Sequence, residues 1–347
     1  MNEKLIVLAV VAGLAAPVAA HAGVAVYGQL QVEAASVNND GFGENNPGPS
    51  DIQAGESGLR LKDNKRGRLG VKVKEDLGAG LRAIARFEWQ VDTAQAKIIT
   101  DDVREGWVGL SASWGELKAG RVRTPYKYTG GVRYDPFAAT YLEARQNGGM
   151  KGGEWGQNFF WDTAVSYRNR WGGFGFWIDV GLDEGNGTAN DGNRGDVSAA
   201  MKYSGKDWEI FAAYNRYDAN NNGTADSVAK VGGRVSFGGG SHTVSAQYEL
   251  DTPEGNDNDA AILFVGYQFR MGKNILAAQY GNTAGDDNYV DTYLKGATDV
   301  TYYAIGVIHR FSKRTRVFVG YRKSEGKNPV TTGIDLSVAT AGLRVDF

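Results

Sequence analysis

Val24-Ala25-Val26-Tyr27-Gly28-Gln29-Leu30-Gln31-Val32-Glu33 changes character at every second residue. Val24, Val26, Leu30 and Val32 fall on one side of an extended chain, and Tyr27, Gln29, Gln31 and Glu33 on the other. Side chains of a strand point alternately to its two faces, so this stretch is predicted to be a strand with one apolar and one polar face. The split recurs at Arg68 to Lys74, where Leu69, Val71 and Val73 oppose Arg68, Lys72 and Lys74. It returns at Val197 to Tyr203 and at Ala261 to Phe269, and the chain closes on it, with Ala341, Leu343, Val345 and Phe347 on the apolar side. No stretch after Gly23 keeps a helical period.

The connections sort into two kinds that alternate strictly. Short turns are predicted at 78–80, 113–115, 171–173, 204–206, 238–240, 271–273 and 312–313. Long polar links fall between them, at about 36–65, 93–102, 123–158, 183–194, 218–226, 251–258, 281–298 and 324–332. Seven turns and eight loops join sixteen strands. A soluble sandwich would bury the apolar faces in a dry core and has no need of such alternation, and a propeller would repeat a blade signature that is absent. Polar faces this rich in Arg, Lys, Glu and Gln cannot form a second dry layer. The pattern therefore implies an all-β fold: a sixteen-stranded antiparallel transmembrane β-barrel, apolar outside and wet inside, with short turns at one rim and long loops at the other. Trp208, Phe237, Phe269, Phe311 and Phe347 lie near short turns or the terminus, as an aromatic girdle requires.

Composition agrees. The 347 residues carry 38 basic and 40 acidic side chains, a formal net charge of −2, which gives no basic excess for nucleic acid. With no Cys there are no disulfides, zinc–thiolate sites or thiol nucleophiles. Mean hydropathy is −0.38, too polar for a bundle of helical spans of ~20 apolar residues each. One apolar run exists, Leu5 to Ala20, preceded by Lys4 and followed by Ala20-His21-Ala22. It reads as a secretory signal peptide over 1–22, leaving 23–347 as one barrel domain.

Several motifs stand in register with these elements. They are Val26-Tyr27-Gly28, Arg68-Leu69-Gly70-Val71-Lys72, Glu75-Asp76-Leu77-Gly78-Ala79-Gly80-Leu81, Ala119-Gly120-Arg121, Asp135-Pro136-Phe137, Phe311-Ser312-Lys313-Arg314-Thr315 and Gly342-Leu343-Arg344. Together they make the chain resemble the trimeric general porins of Gram-negative bacteria. Gln29 and Asp346 depart from that resemblance, each standing where a basic residue is common. The resemblance implies an outer-membrane homotrimer, set in outer-membrane lipid, that passes small hydrophilic solutes and ions by passive diffusion. It also implies that C-terminal Phe347 is read by the outer-membrane assembly machinery.

In such porins the third loop folds into the barrel, and its acids face a ladder of basic side chains. The resemblance therefore places Asp135, Glu143 and Glu154 on the loop side of the constriction, and Arg68, Lys72, Lys74, Arg82 and Arg86 on the wall. Alternation gives no facing for Arg104, Arg121 and Arg123. Opposed charges across a bore filter solutes without chemistry. An enzyme on a barrel needs a base beside its nucleophile. Of the three His, His21 leaves with the leader, while His242 and His309 share parity with lipid-facing residues, so no catalytic residue, cofactor or metal is expected. A substrate-specific channel for a sugar or an anion is the alternative, kept open by Tyr126, Tyr128, Tyr134 and Tyr141 in the third loop.

Overall fold

A computed structural model describes residues 22–40, 57–145, 147–153, 156–157, 160–182, 196–218, 225–253, 259–286, 299–327 and 334–347. The leader expected over 1–22 lies almost entirely outside them. Among the described residues seventeen strand segments follow one another: β1 (Ala22–Asp40), β2 (Gly58–Lys62), β3 (Arg68–Gly78), β4 (Leu81–Asp92), β5 (Lys97–Ala112), β6 (Gly115–Arg123), β7 (Phe160–Trp171), β8 (Phe174–Gly181) and β9 (Val197–Ser204) in the first half. The second half holds β10 (Trp208–Tyr217), β11 (Asp226–Phe237), β12 (His242–Thr252), β13 (Ala260–Met271), β14 (Asn274–Gly285), β15 (Asp299–Arg310), β16 (Thr315–Lys327) and β17 (Ile334–Asp346).

Each segment from β3 onward pairs antiparallel with the next, and β17 returns to pair with β1. Both β2 and β3 pair with β1, Ala34 opposite Leu61 and Gln29 opposite Arg68. They are one stave broken at 63–67, so the closed barrel has sixteen staves. Among the described residues, closure leaves no strand without a neighbour on each side, which a membrane demands.

The two faces are sorted as the alternation requires. Val26, Val108, Ile210, Val231, Ile305 and Val319 are each more than half exposed. The alternate positions, among them Glu33, Gln90, Asn215, Gln247, Glu249 and Ser324, are buried. A soluble domain shows the opposite. Exposed Trp208, Phe237, Phe311 and Phe347 cluster at the short-turn rim, joined there by Trp114, Trp171 and Phe174. His242 is stacked between Phe237 and Phe269 at 5.0 and 4.6 Å, part of this girdle.

Several link boundaries differ from the sequence reading. The link expected over 36–65 has strand at both ends, since β1 runs to Asp40 and β2 occupies 58–62. The link expected at 93–102 shrinks to 93–96, and the strands flanking the links at 281–298 and 324–332 run on to Gly285 and Lys327. Polar, Gly-rich composition hid these ends, because strands that reach past the lipid need no apolar face.

Two glycines let aromatic rings close the wall. A side chain at Gly70 would collide with the Tyr27 ring, and one at Gly28 with the Phe347 ring. A ring laid over a strand glycine restores the packing that the glycine lacks.

Candidate functional site

Thr124 follows β6 and starts the third loop. Its hydroxyl accepts the Lys127 amide at 3.3 Å and caps a single helical turn, α1 (Pro125–Tyr128), with Pro at the first position. A 3₁₀ turn (Gly131–Arg133) follows, then the Asp-Pro-Phe motif. Asp135 Oδ1 accepts the Phe137 amide at 2.7 Å and Oδ2 accepts the Ala144 amide at 2.8 Å, so one carboxylate ties both ends of a ten-residue bend. Gln279 Nε2, from β14, donates to the same carboxylate at 2.7 Å. Glu143 likewise accepts the Ala139 amide at 2.6 Å and an Arg145 guanidinium N–H at 3.0 Å.

The loop is bonded to inward positions around the barrel. Gln31 Nε2 donates to the Ala139 carbonyl at 2.8 Å, and the Tyr141 amide donates to Glu33 at 3.0 Å, both on β1. The Gly131 amide donates to Gln247 of β12 at 2.7 Å, and the Tyr126 hydroxyl to Glu249. Thr283 of β14 and Ser324 of β16 donate to the Gly148 and Asn147 carbonyls at 3.1 and 3.0 Å. Beneath these bonds Tyr134, Phe137, Leu142 and Met150 of the loop pack with Phe264, Ile275, Tyr302, Ile308 and Phe318 of the wall. Inward-facing apolar residues are out of place in a wet bore unless something covers them, and the loop does.

Opposite stands a charged wall. Glu88, with its side chain 1% exposed, receives Arg86 at 2.6 Å, Arg104 at 3.0 Å and Arg68 at 3.6 Å. Glu105 receives Arg123 at 2.8 Å and Arg86 at 3.1 Å. The Tyr27 hydroxyl donates to Glu88 at 2.7 Å and accepts the Arg86 Nε–H at 2.6 Å. Removing either acid would leave several guanidinium groups repelling one another in a low dielectric.

Between loop and wall lies a cavity of about 660 Å³. Twelve of the described side chains lining it are Lys or Arg, and one, Asp135, is acidic. Arg66, Arg68, Arg104 and Arg121 come from the N-terminal half of the chain, and Arg310, Arg316 and Arg344 from its end. Burial pushes the Asp135 carboxyl up to about 6. Lys127, also buried, is driven well below the usual lysine range by desolvation and then by Arg145 and Arg104.

Against the residues named from sequence, the structure places Arg68 and Asp135 on the cavity, and Glu143 fully buried within the loop. Arg86 supports the wall through Glu88 and Glu105, and Lys72 lies across it on the Tyr27 ring at 4.1 Å. Lys74 and Arg82 are exposed beside the turn joining β3 to β4. Glu154 lies outside the described residues. The loop acids named from sequence that are described do not face the basic wall as free charges, because the loop's own amides use their oxygens.

Alternation alone missed Arg104 and Arg121. Register shifts at 88–90 in the β4–β5 pairing and between Gly120 and Val122 in the β6–β7 pairing reset the facing there. Arg66 was missed because it sits in the break at 63–67. Asp346, one of the departures, faces inward and pairs with Arg316 and Arg344 at 3.1 and 2.7 Å.

A closed sixteen-stave barrel, lipid-facing outside and charged within, defines an outer-membrane channel, and comparison with known proteins gives the family. The Gram-negative porin family profile matches residues 7–329, and the chain belongs to that family. Outer membrane porin protein 32 of Delftia acidovorans is 26% identical over 383 aligned positions, covering 99% of this chain and 95% of the relative. The major outer membrane protein P.IB of Neisseria meningitidis serogroup B is 34% identical over 145 residues, 41% of this chain and 40% of that protein's length. Among solved structures, the anion-selective porin from Comamonas acidovorans superposes with a TM-score of 0.72 at 21% identity, over 94% of this chain and all of that one, a likeness of fold. The protein is an integral outer-membrane porin, a passive diffusion channel rather than an enzyme.

Proposed function

We propose that residues 124–159 are the constriction loop, and that the porin passes small hydrophilic solutes with a preference for anions. The excess of Lys and Arg lining the cavity carries this reading. Fixed cations in a narrow, low-dielectric bore lower the barrier for anions and raise it for cations. Arg68 and Asp135 contribute at the narrow zone, with Glu143 holding the loop's shape. Lys72 and Arg86 act from the wall, and Lys74 and Arg82 from the vestibule on the short-turn side. The anion-selective porin from Comamonas acidovorans agrees in sign.

Swelling of proteoliposomes in isotonic glucose, glucuronate and glucosamine tests this at nearly constant solute size. Glucuronate entering faster than glucosamine, with rates linear in concentration, is the expected result. The reverse order would overturn the charge assignment.

Residues 1–22 are proposed to be removed on export, and the mature chain to form a homotrimer, as family membership supports. Chemical cross-linking of the detergent-extracted protein, giving a trimer and no larger species, tests the second point. Phe347, exposed at the closing seam, is proposed as the feature read during assembly.

A further inference from the structure

Charge alone does not describe the cavity, because apolar surface lies among its basic side chains. Arg66, Arg68, Arg104, Arg316 and Arg344 form one side. The Arg66 Nε–H is buried with no hydrogen-bond partner among the described residues. On the other side the loop brings Lys127, Arg133 and Arg145 to the cavity and, with them, an apolar patch of Val132, Pro136 and Ala138, all half-buried, with Phe137 and Ala139 behind. The acids of this stretch set no free carboxylate beside that patch, because Asp135 and Glu143 point their oxygens back at the amides of Phe137, Ala144 and Ala139.

A solute crossing such a slot gives up water on both sides. Guanidinium N–H groups replace the water lost from a carboxylate, often two at a time. The patch formed by Val132, Pro136 and Ala138 replaces nothing for a fully hydrophilic anion, while an apolar body gains by touching it. From this juxtaposition, and resting on the anion preference above, we infer that the constriction favours organic carboxylates with an apolar or aromatic body over equally charged anions without one. The volume suits a small molecule of that class.

The test is a bi-ionic potential across a planar bilayer holding the full channel, with sodium benzoate on one side and sodium acetate on the other at neutral pH. Benzoate is larger and diffuses more slowly in water, so an indifferent pore gives a benzoate-to-acetate permeability ratio below one. The inference requires a ratio of about threefold in favour of benzoate, with butyrate between the two. It also requires that Val132→Asn with Ala138→Asn bring the ratio to one or below. A wild-type ratio below one, in a channel that still prefers chloride to potassium, overturns this inference and leaves the proposed function standing. Preference for potassium would remove the proposed function itself. A high ratio unchanged in the double variant overturns the role of the loop side, and if that variant does not fold, the acetate–butyrate–benzoate order in the wild type decides alone.

Discussion

Phe347 and Gly28 close the barrel on each other. The Phe347 amide donates to the Gly28 carbonyl at 3.0 Å and the Gly28 amide to the Phe347 carbonyl at 3.1 Å, while the Phe347 ring covers the space a Gly28 side chain would need. The first and last strands are thereby joined at the short-turn rim by a fit that needs glycine on one side and a ring on the other.

Gly28→Leu should therefore weaken the seam. Displacing the ring costs on the order of 1–3 kcal/mol as overpacking. The folded band on unheated gels is expected to convert to the unfolded one at a lower temperature than in the wild type. An unchanged conversion temperature would mean that the ring is not seated there.

Asp135 links loop shape to pH. Its folded value of about 6 lies above the ordinary 3.8, chiefly through desolvation, with its hydrogen bonds opposing the shift. The native state therefore binds the proton more tightly than the unfolded chain does, so the cost of holding the group ionised is complete above pH 6 and is relieved as pH falls from there toward 3.8. Acidification from pH 7.5 to 5 should remove the cavity's acidic charge and move the zero-current potential further toward anions. Asp135→Asn should abolish that movement. Because Asn offers one acceptor oxygen for two buried amides, the variant should also lose about 1–3 kcal/mol of loop stability, read as noisier open-channel current.

Depth along the bore should grade the effect of charge reversal. Arg66→Glu, on the cavity, is expected to shift the potential toward cations well beyond the shift from Arg82→Glu, which is exposed beside a turn. Equal shifts would place the narrow zone at the short-turn end instead.

Phe137 anchors the loop to the wall. Phe137→Ala should cost about 3–5 kcal/mol of local packing, and protease sensitivity within 131–152 is the measurement, expected to rise while the barrel itself stays resistant.

Much of this architecture could be read from alternation. Ala261 to Phe269 sorted its side chains as expected, and the turns at 78–80 and 238–240 fall where glycine clusters punctuate the pattern. Where lipid no longer selects for an apolar face the pattern fades, which is why Gly58–Lys62 reads as loop until its pairing with β1 is seen. Residue types identified the basic wall, but facing at Arg104 and Arg121 depends on register shifts that leave no mark on composition. The role of Asp135 depends on Ala144 and on Gln279, 144 positions away, so no local motif could show that its charge is turned into the loop.

The zero-current potential of the purified channel in a tenfold gradient of potassium chloride tests the central claim most directly. Chloride leading potassium through a cationic constriction makes the dilute side negative, which is the expected result. A dilute side that turns positive would contradict the account, because the twelve basic side chains around the cavity could not then be what a passing ion meets.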